Sequence, residues 1–388
     1  MVNESVPEPS VVANGQPSSE VPDQVREFGH YRIVRELGRG AQGVVYLAQD
    51  TQLHREVALK MLSGAGAMSQ PVRDRFQREA RLTSKFEHPG ICGVHEVGEV
   101  EGVPYIAMQY VRGETLADIL KRSRGEDAGG ADPAKPKTSE TISVLGGSAR
   151  NDLQDVVRLI ERAARALHVA HEAGLVHRDI KPGNLMVTLE GNPVLLDFGL
   201  ARDLSAEGQT LTQSGQIMGT PAYLAPEQIV AARGTVDRRT DVYALGVTLF
   251  ECLTSRRPYD ADTWDQLFHQ ILHGEPANPR SLNPRIPRDL CTVIEVAMER
   301  DRTRRYPTAE HFADDLRRVR SFEPIRAKAA GPLIRLQKWA RRSPGLATGS
   351  AAAALLVLAV AMLLIVQATA SRREFREHVQ RAEAALGG

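Results

Sequence analysis

The hydrophobic period of this chain changes once, near Met108, and that change limits what it can fold into. From Tyr31 to about Met108, short β-rich runs stand at Tyr31–Leu37, Val44–Ala48, Val57–Leu62 and Val103–Met108, split by glycines and polar turns. Only Arg73–Phe86 reads as a helix there. Beyond Met108 the period is helical. Leu116–Leu120 opens a helix, and Leu153, Val156, Val157, Ile160, Ala164 and Leu167 mark a long amphipathic one that ends near Gly174. Further helical segments cover Thr240–Leu253, Trp264–Leu272, Asp289–Met298 and Ala309–Val319. The pattern predicts an α+β chain with a small β-rich lobe followed by a larger helical one.

Residues 1–29 carry four prolines among Ser, Glu and Gln, too little apolar surface to order a segment, and read as a disordered leader. The leader lacks the basic start and apolar core of a signal peptide. A Gly/Ala/Lys/Ser-rich stretch at about 121–150 reads as a flexible insertion. With 49 Lys+Arg against 48 Asp+Glu, nothing draws the whole chain to nucleic acid. Cys92, Cys252 and Cys291 are odd in number and form no CxxC pair, which excludes a disulfide framework and a zinc ribbon. They read as small buried apolar side chains.

Four patterns carry chemistry. Leu37-Gly38-Arg39-Gly40-Ala41-Gln42-Gly43-Val44-Val45 lies between two predicted strands, and glycines at this spacing let a hairpin backbone approach phosphates. A plain glycine turn fits the pattern alone equally well, and the strand that follows excludes a dinucleotide fold, which needs a helix there. Lys60 ends the apolar strand Val57-Ala58-Leu59-Lys60, where an edge lysine could also snorkel to water. Glu79 sits on the apolar face of the 73–86 helix, between Phe76 and Phe86, and an inward carboxylate needs a cation. An ion pair between Lys60 and Glu79 answers both burial problems.

The most specific segment is His177-Arg178-Asp179-Ile180-Lys181-Pro182-Gly183-Asn184, which offers a base, a cation for phosphate and an amide ligand in one loop. Asp197-Phe198-Gly199 follows 18 residues after Asp179, behind the apolar run Val194–Leu196, and its carboxylate suits a hard cation such as Mg²⁺. Either motif alone could be ordinary turn residues. His168, His171 and His177 form no helical metal pair.

Taken together and in this order, these segments resemble the eukaryotic-like protein kinases over roughly residues 31–320. The resemblance implies the two-lobed kinase fold with ATP and Mg²⁺ as cofactors. It implies that Gly38, Gly40 and Gly43 cover the ATP phosphates, with Leu37, Arg39, Ala41, Gln42, Val44, Val45 and Ala58 beside them. Lys60, oriented by Glu79, would hold the α- and β-phosphates. Asp179 would accept the substrate hydroxyl proton with Lys181 beside it, and Asn184 and Asp197 would hold Mg²⁺. Lys181 and Gly219-Thr220-Pro221-Ala222-Tyr223 match the serine/threonine form, and Ala225-Pro226-Glu227 closes the activation segment. Asp241 and Arg305 match structural positions, with Arg305 expected to pair with Glu227. Arg302 stands where many relatives have Pro. Arg178 before Asp179 is the form found in kinases ordered by phosphorylation, which makes Thr210, Thr212 and Ser214 candidate phosphosites, although hydroxyls in loops are often only solvated. A pseudokinase scaffold would show degraded Lys, Asp or Asn positions, and a small-molecule phosphotransferase would lack the Gly-Thr-Pro and Ala-Pro-Glu segments; neither departure occurs. Protein substrates follow as partners, and self-association is expected for trans-autophosphorylation.

Leu346–Val366 is a charge-free run of 21 residues, about 31 Å as a helix, long enough for a bilayer core. A buried core helix is the other reading. Arg335, Lys338, Arg341, Arg342 and Trp339 precede it in a basic linker, 321–345, and Arg372, Arg373 and Arg376 follow it. Charge gives weak orientation, and ATP supply puts the kinase lobe in the cytoplasm. The expectation is a single-pass cell-membrane protein with a short extracytoplasmic stub, 367–388. In that stub Phe375, Val379, Ala382 and Leu386 start a heptad seam belonging to either a sensor or a coiled coil.

Overall fold

The structure, a computed structural model, describes residues 27–40, 43–62, 87–126, 151–198, 221–230 and 236–328, and beyond these residues 353, 355–364 and 367. The chain divides into one compact unit to Pro324 and a second from Ile325 onward.

Six antiparallel strands build the first sheet: β1 (Glu27–Phe28), β2 (Tyr31–Gly40), β3 (Gly43–Asp50), β4 (Arg55–Leu62), β5 (Val94–Val100) and β6 (Val103–Gln109), in the order β1-β2-β3-β4-β6-β5. Alternation sorts β4 between two cores. Ala58 and Leu62 join Cys92, Ile106, Met108, Val111 and Val194 in one cluster. Val57 and Leu59 point the other way, into a cluster with Tyr31, Ala48, Tyr105 and Ala107. β1 lies within the stretch expected to be leader; Phe28 packs edge-on against Tyr105 at 5.5 Å, and that aromatic contact anchors it. β5 is the other strand the sequence pattern did not reveal, because its half-exposed alternation Val-His-Glu-Val-Gly-Glu-Val suits an edge that pairs with β6 alone.

A three-stranded sheet, β7 (Gly113–Thr115), β8 (Leu185–Thr188) and β9 (Pro193–Leu195), carries the segments around the site. The helices are α1 (Leu116–Ser123), α2 (Asn151–Glu172), α3 (Pro226–Ile229), α4 (Arg238–Thr254), α5 (Trp264–His273), α6 (Pro279–Leu282), α7 (Arg288–Ala297) and α8 (Ala309–Arg320). Most begin with a side-chain cap: Thr115, Asp237, Thr263, Asn278 and Thr308 each accept from a backbone N–H of the first turn. α4 is buried all round from Thr240 to Leu253, as an axial helix of a helical lobe must be. α7 reaches it closely at Gly246, where a Cβ would stand 2.8 Å from the Ala297 side chain.

Among the described residues no helix is long and apolar enough to cross a membrane. Of the expected span, Leu355–Leu364 is described; it is helical, and its large apolar side chains stand 49 to 69% exposed. The remainder of the span, the heptad positions, and the interior of the 121–150 insertion lie outside the described residues.

Candidate active site

Asp179 stands in a loop whose backbone is fixed from behind. Asp241, fully buried on the first turn of α4, accepts from the His177 and Arg178 N–H groups, both at 2.7 Å, and from His171 Nε2 at 2.8 Å. A buried carboxylate taking three donors is satisfied, so burial does not penalise it as it would a bare charge. Arg178 sits at φ 66°, a left-handed conformation costing an L-residue about 1–2 kcal/mol. Bonds on both sides hold it there, since its carbonyl accepts from Gln228 Nε2 of α3 at 2.9 Å. His177 is fully buried, donates from Nε2 to the Leu196 carbonyl at 2.8 Å, and lies 4.6 Å from the Phe198 ring. It joins the Asp179 loop to the Asp197 segment.

The polar side chains of the loop converge. Lys181 Nζ donates to Asp179 Oδ2 at 2.7 Å, and Asn184 Nδ2 donates to the same oxygen at 3.0 Å and to the Asp179 carbonyl at 2.8 Å. The amide nitrogen of Asn184 is thereby aimed at Asp179, and its oxygen is the atom able to ligate a cation. Leu196 N–H donates to the Asn184 carbonyl at 2.9 Å, bringing Asp197 beside Asn184. Asp197 is also left-handed, at φ 53°, and its carboxylate receives Lys60 Nζ at 2.8 Å. Lys60 is only 5% exposed and Asp197 is partly exposed, so a buried cation from β4 meets a half-buried carboxylate in the loop after β9. The sequence pairs Lys60 with Glu79; the described partner is Asp197, and Glu79 lies outside the described residues.

β2 and β3 pair through Gly38 with Val45, Arg39 with Val44 and Gly40 with Gly43; Ala41 and Gln42 lie outside the described residues. Gly43 is dictated by the protein: its φ is 147° and a Cβ would stand 2.0 Å from the Met61 carbonyl oxygen. At Gly38 and Gly40 an added Cβ would meet no protein atom within 4 Å. Nothing in the described fold demands glycine there. Arg39 is exposed and donates to Glu36 at 2.7 Å.

Leu37, Val45 and Ala58 line one apolar cluster with Met108, Val111, Met186, Val194 and Leu196. The last five were not singled out from sequence. Their only signal is apolar character, which any core residue shares. Cys92 lies in the same cluster; burial pushes its thiol up to about 12, the Asp197 charge adding to it, so the thiol stays protonated and inert.

A second network closes the helical lobe. Arg305 donates from Nη1 and Nη2 to the two oxygens of Glu227, each at 2.7 Å, and Thr240 Oγ1 donates to Glu227 at 2.7 Å. This is the expected partnership. Burial alone would raise the Glu227 carboxyl, but the Arg305 bonds and charge, with Thr240, hold it below the usual carboxylate value. Arg302 Nη1 donates to Asp237 at 3.4 Å. Thr210, Thr212 and Ser214 lie outside the described residues.

The site fits ATP and Mg²⁺ by its donors. Among the described residues no group of three or more His, Cys, Asp or Glu side chains forms a metal cage. One carboxylate and one amide oxygen match Mg²⁺, which takes few protein ligands and completes its shell from phosphates and water.

The protein kinase domain model matches residues 31–316. The chain is 35% identical over 302 residues to the serine/threonine-protein kinase PknB of Mycobacterium tuberculosis, covering 76% of this chain and 44% of that protein. It is 35% identical over 292 residues to PrkC of Bacillus subtilis, covering 75% and 41%. The chain thus spans less than half the length of these two relatives. Among solved structures, the Mycobacterium tuberculosis PknI kinase domain is similar at 29% identity with a TM-score of 0.56, over 77% of this chain and 98% of that one. This chain therefore belongs to the protein kinase family, among the eukaryotic-like serine/threonine kinases.

Proposed function

We propose that this protein transfers the γ-phosphoryl group of ATP to serine or threonine hydroxyls of proteins. The observation that carries the reading is the convergence of Lys181 and Asn184 on one oxygen of Asp179, beside Asp197 and its Lys60 partner. Asp179 orients the incoming hydroxyl and takes its proton, and Lys181 stands by to offset charge on the transferring group. Asn184 and Asp197 are the residues that would hold Mg²⁺, which when bound neutralises phosphate charge. The glycine hairpin would cover the phosphates and Lys60 would orient them, with Glu79 as its expected second partner. The serine/threonine class is supported by Lys181, by the segment ending Pro221-Ala222-Tyr223, and by the names of the relatives.

Regulation and placement extend the proposal. Phosphate on Thr210, Thr212 or Ser214 would bring about −1.5 to −2 charge toward Arg178 and order the segment before Ala225-Pro226-Glu227. The run 346–366 anchors the chain in the cell membrane as a single helix with the kinase lobe cytoplasmic. The exposed apolar side chains of Leu355–Leu364 support this, because a bilayer would cover them. Confinement there raises the local concentration of neighbouring kinase domains and favours trans-autophosphorylation.

The test is phosphotransfer by the purified full chain with ATP and Mg²⁺, with modified residues mapped by mass spectrometry. Phosphate on Ser or Thr, including one of the three candidate sites, is expected. Phosphate on Tyr alone, or none, would defeat the reading. For the anchor, the full chain should resist alkaline carbonate extraction from membranes, and recovery in the soluble fraction without detergent would remove it.

A further inference from the structure

A cavity of about 150 Å³ that does not include Asp179 opens beside the Pro221–Tyr223 turn, lined among others by Arg257, Tyr259, Asp260, Asp262, Trp264 and Leu267. Its floor is apolar: Tyr259 is 4% and Leu267 6% exposed. Its mouth is different. Asp260, Asp262 and Trp264 are all exposed, with Asp265 following in the first turn of α5. Trp264 is 42% exposed, although an indole left open to water gains nothing for the fold.

The charge balance at the mouth is acidic. Among the described residues neither the Asp260 nor the Asp262 carboxylate has a cationic partner or a hydrogen bond; the bond at Asp260 is to its backbone carbonyl, from Gln270. Arg257, the one cation of the lining, is 40% exposed but already engaged. It pairs with the buried Glu251 at 3.8 Å and stands 6.0 Å over the Tyr223 ring. Two open carboxylates and an open indole around an apolar floor fit a long side chain ending in a cation. The stem would lie on Tyr259 and Leu267, and the head would meet the carboxylates and the Trp264 face.

Position ties the cavity to the reaction. The short turn Pro221–Tyr223 reaches both ways: Tyr223 and Leu224 line a tight crevice with Asp179 and Ile180, and Pro221 and Ala222 wall the cavity. A polypeptide presenting its hydroxyl at Asp179 can lie along this turn.

We propose that this cavity is a docking pocket for a lysine or arginine side chain of the protein substrate, outside the residue that is phosphorylated. The proposal deepens the kinase reading and rests on it for its kinetic arm. The pocket selects substrates carrying a basic residue at a fixed separation from the acceptor hydroxyl, and it acts through KM because the pocket touches no reacting atom.

The kinetic test uses the full chain and a Ser/Thr peptide library in which each flanking position is fixed in turn as Lys, Arg, Ala, Leu or Glu. A Lys or Arg peptide at one or more positions should exceed the Ala peptide about five- to tenfold in kcat/KM, the size expected of a cation meeting exposed carboxylates and an indole. Asp260→Asn with Asp262→Asn should bring that peptide to the Ala level through KM, with KM for ATP at its wild-type size. Asp260→Lys with Asp262→Lys should favour Glu instead. No basic preference, a preference that survives the Asn pair, or selection of Glu or Leu by the wild type would overturn the proposal. A binding arm is independent of activity. In a Trp339→Phe background Trp264 is the single indole, since the chain has 2 tryptophans. A Lys peptide with Ala in place of the acceptor should change its fluorescence saturably, and the Asn pair should abolish the change. An enzyme that phosphorylates no peptide but shows this titration loses the kinase reading and keeps the pocket; an active enzyme without the titration loses the pocket.

Discussion

His177–Asn184 and the glycine hairpin Gly38–Gly43, which the proposed function assigns to one reaction, are held by different means. The first is gripped from behind by buried polar groups, with Asp241, Gln228 and the Leu196 carbonyl fixing successive backbone and ring atoms. The second is held by strand register, and two of its glycines have open space where a side chain would be. A group that takes a proton must be set at one angle before substrate arrives. A cover over a nucleotide must open for exchange and is drawn from the weakly held parts of a fold. The difference teaches that rigidity here is local and is built with buried charge rather than with more apolar core.

Substitutions can break that contrast. Asp241→Ala should have the largest effect, because it strips two backbone donors and His171 of their acceptor inside the protein. A loss of about 3–5 kcal/mol of stability is expected, measured by denaturant unfolding, with activity falling even where the fold survives at low temperature. A cost below about 1 kcal/mol would mean that the loop is not held from behind.

The Glu227–Arg305 pair sharpens the contrast through pH. Its carboxyl is held below its unfolded value of 4.5. The stabilisation is therefore fully present above that unfolded value and is lost as pH falls through the lower, folded one. Melting temperature should decline with acid below about pH 4.5, and Glu227→Gln should flatten that decline while lowering stability at neutral pH. An equal acid slope in the variant would contradict the assignment.

The hairpin should give the smallest effect on stability. Gly38→Ala and Gly40→Ala meet no described protein atom within 4 Å, so unfolding should shift by no more than about 0.5–1 kcal/mol in either direction. KM for ATP should nevertheless rise severalfold. Unchanged nucleotide affinity would remove the hairpin from the site.

Which parts were legible in sequence follows from the same physics. Four strands and the five long helices of the larger lobe announced themselves by period, and the loop around Asp179 by its dense run of chemically specific residues. β5 did not, being a half-exposed edge with charges on its outer face. Val103–Met108 reads as a strand, and nothing in its pattern says that Met108 shares a cluster with Val111 and Val194. Lys60 was legible as a buried cation in need of a partner, but its described partner, Asp197, lies 137 residues away, and no spacing rule reaches that far. The acidic pocket at Asp260 and Asp262 was silent for the same reason, since it needs the Pro221 turn and α5 brought side by side.

The central claim is that Asp179 serves as the base in a loop already built to hold it. Its most direct measurement is Asp179→Asn, assayed for phosphoryl transfer, ATP binding and melting on the same preparation. Asn keeps the shape, so binding and melting temperature should stay close to wild type while transfer falls by about 10² or more. A well-folded variant that binds ATP and turns over at near the wild-type rate would contradict the claim.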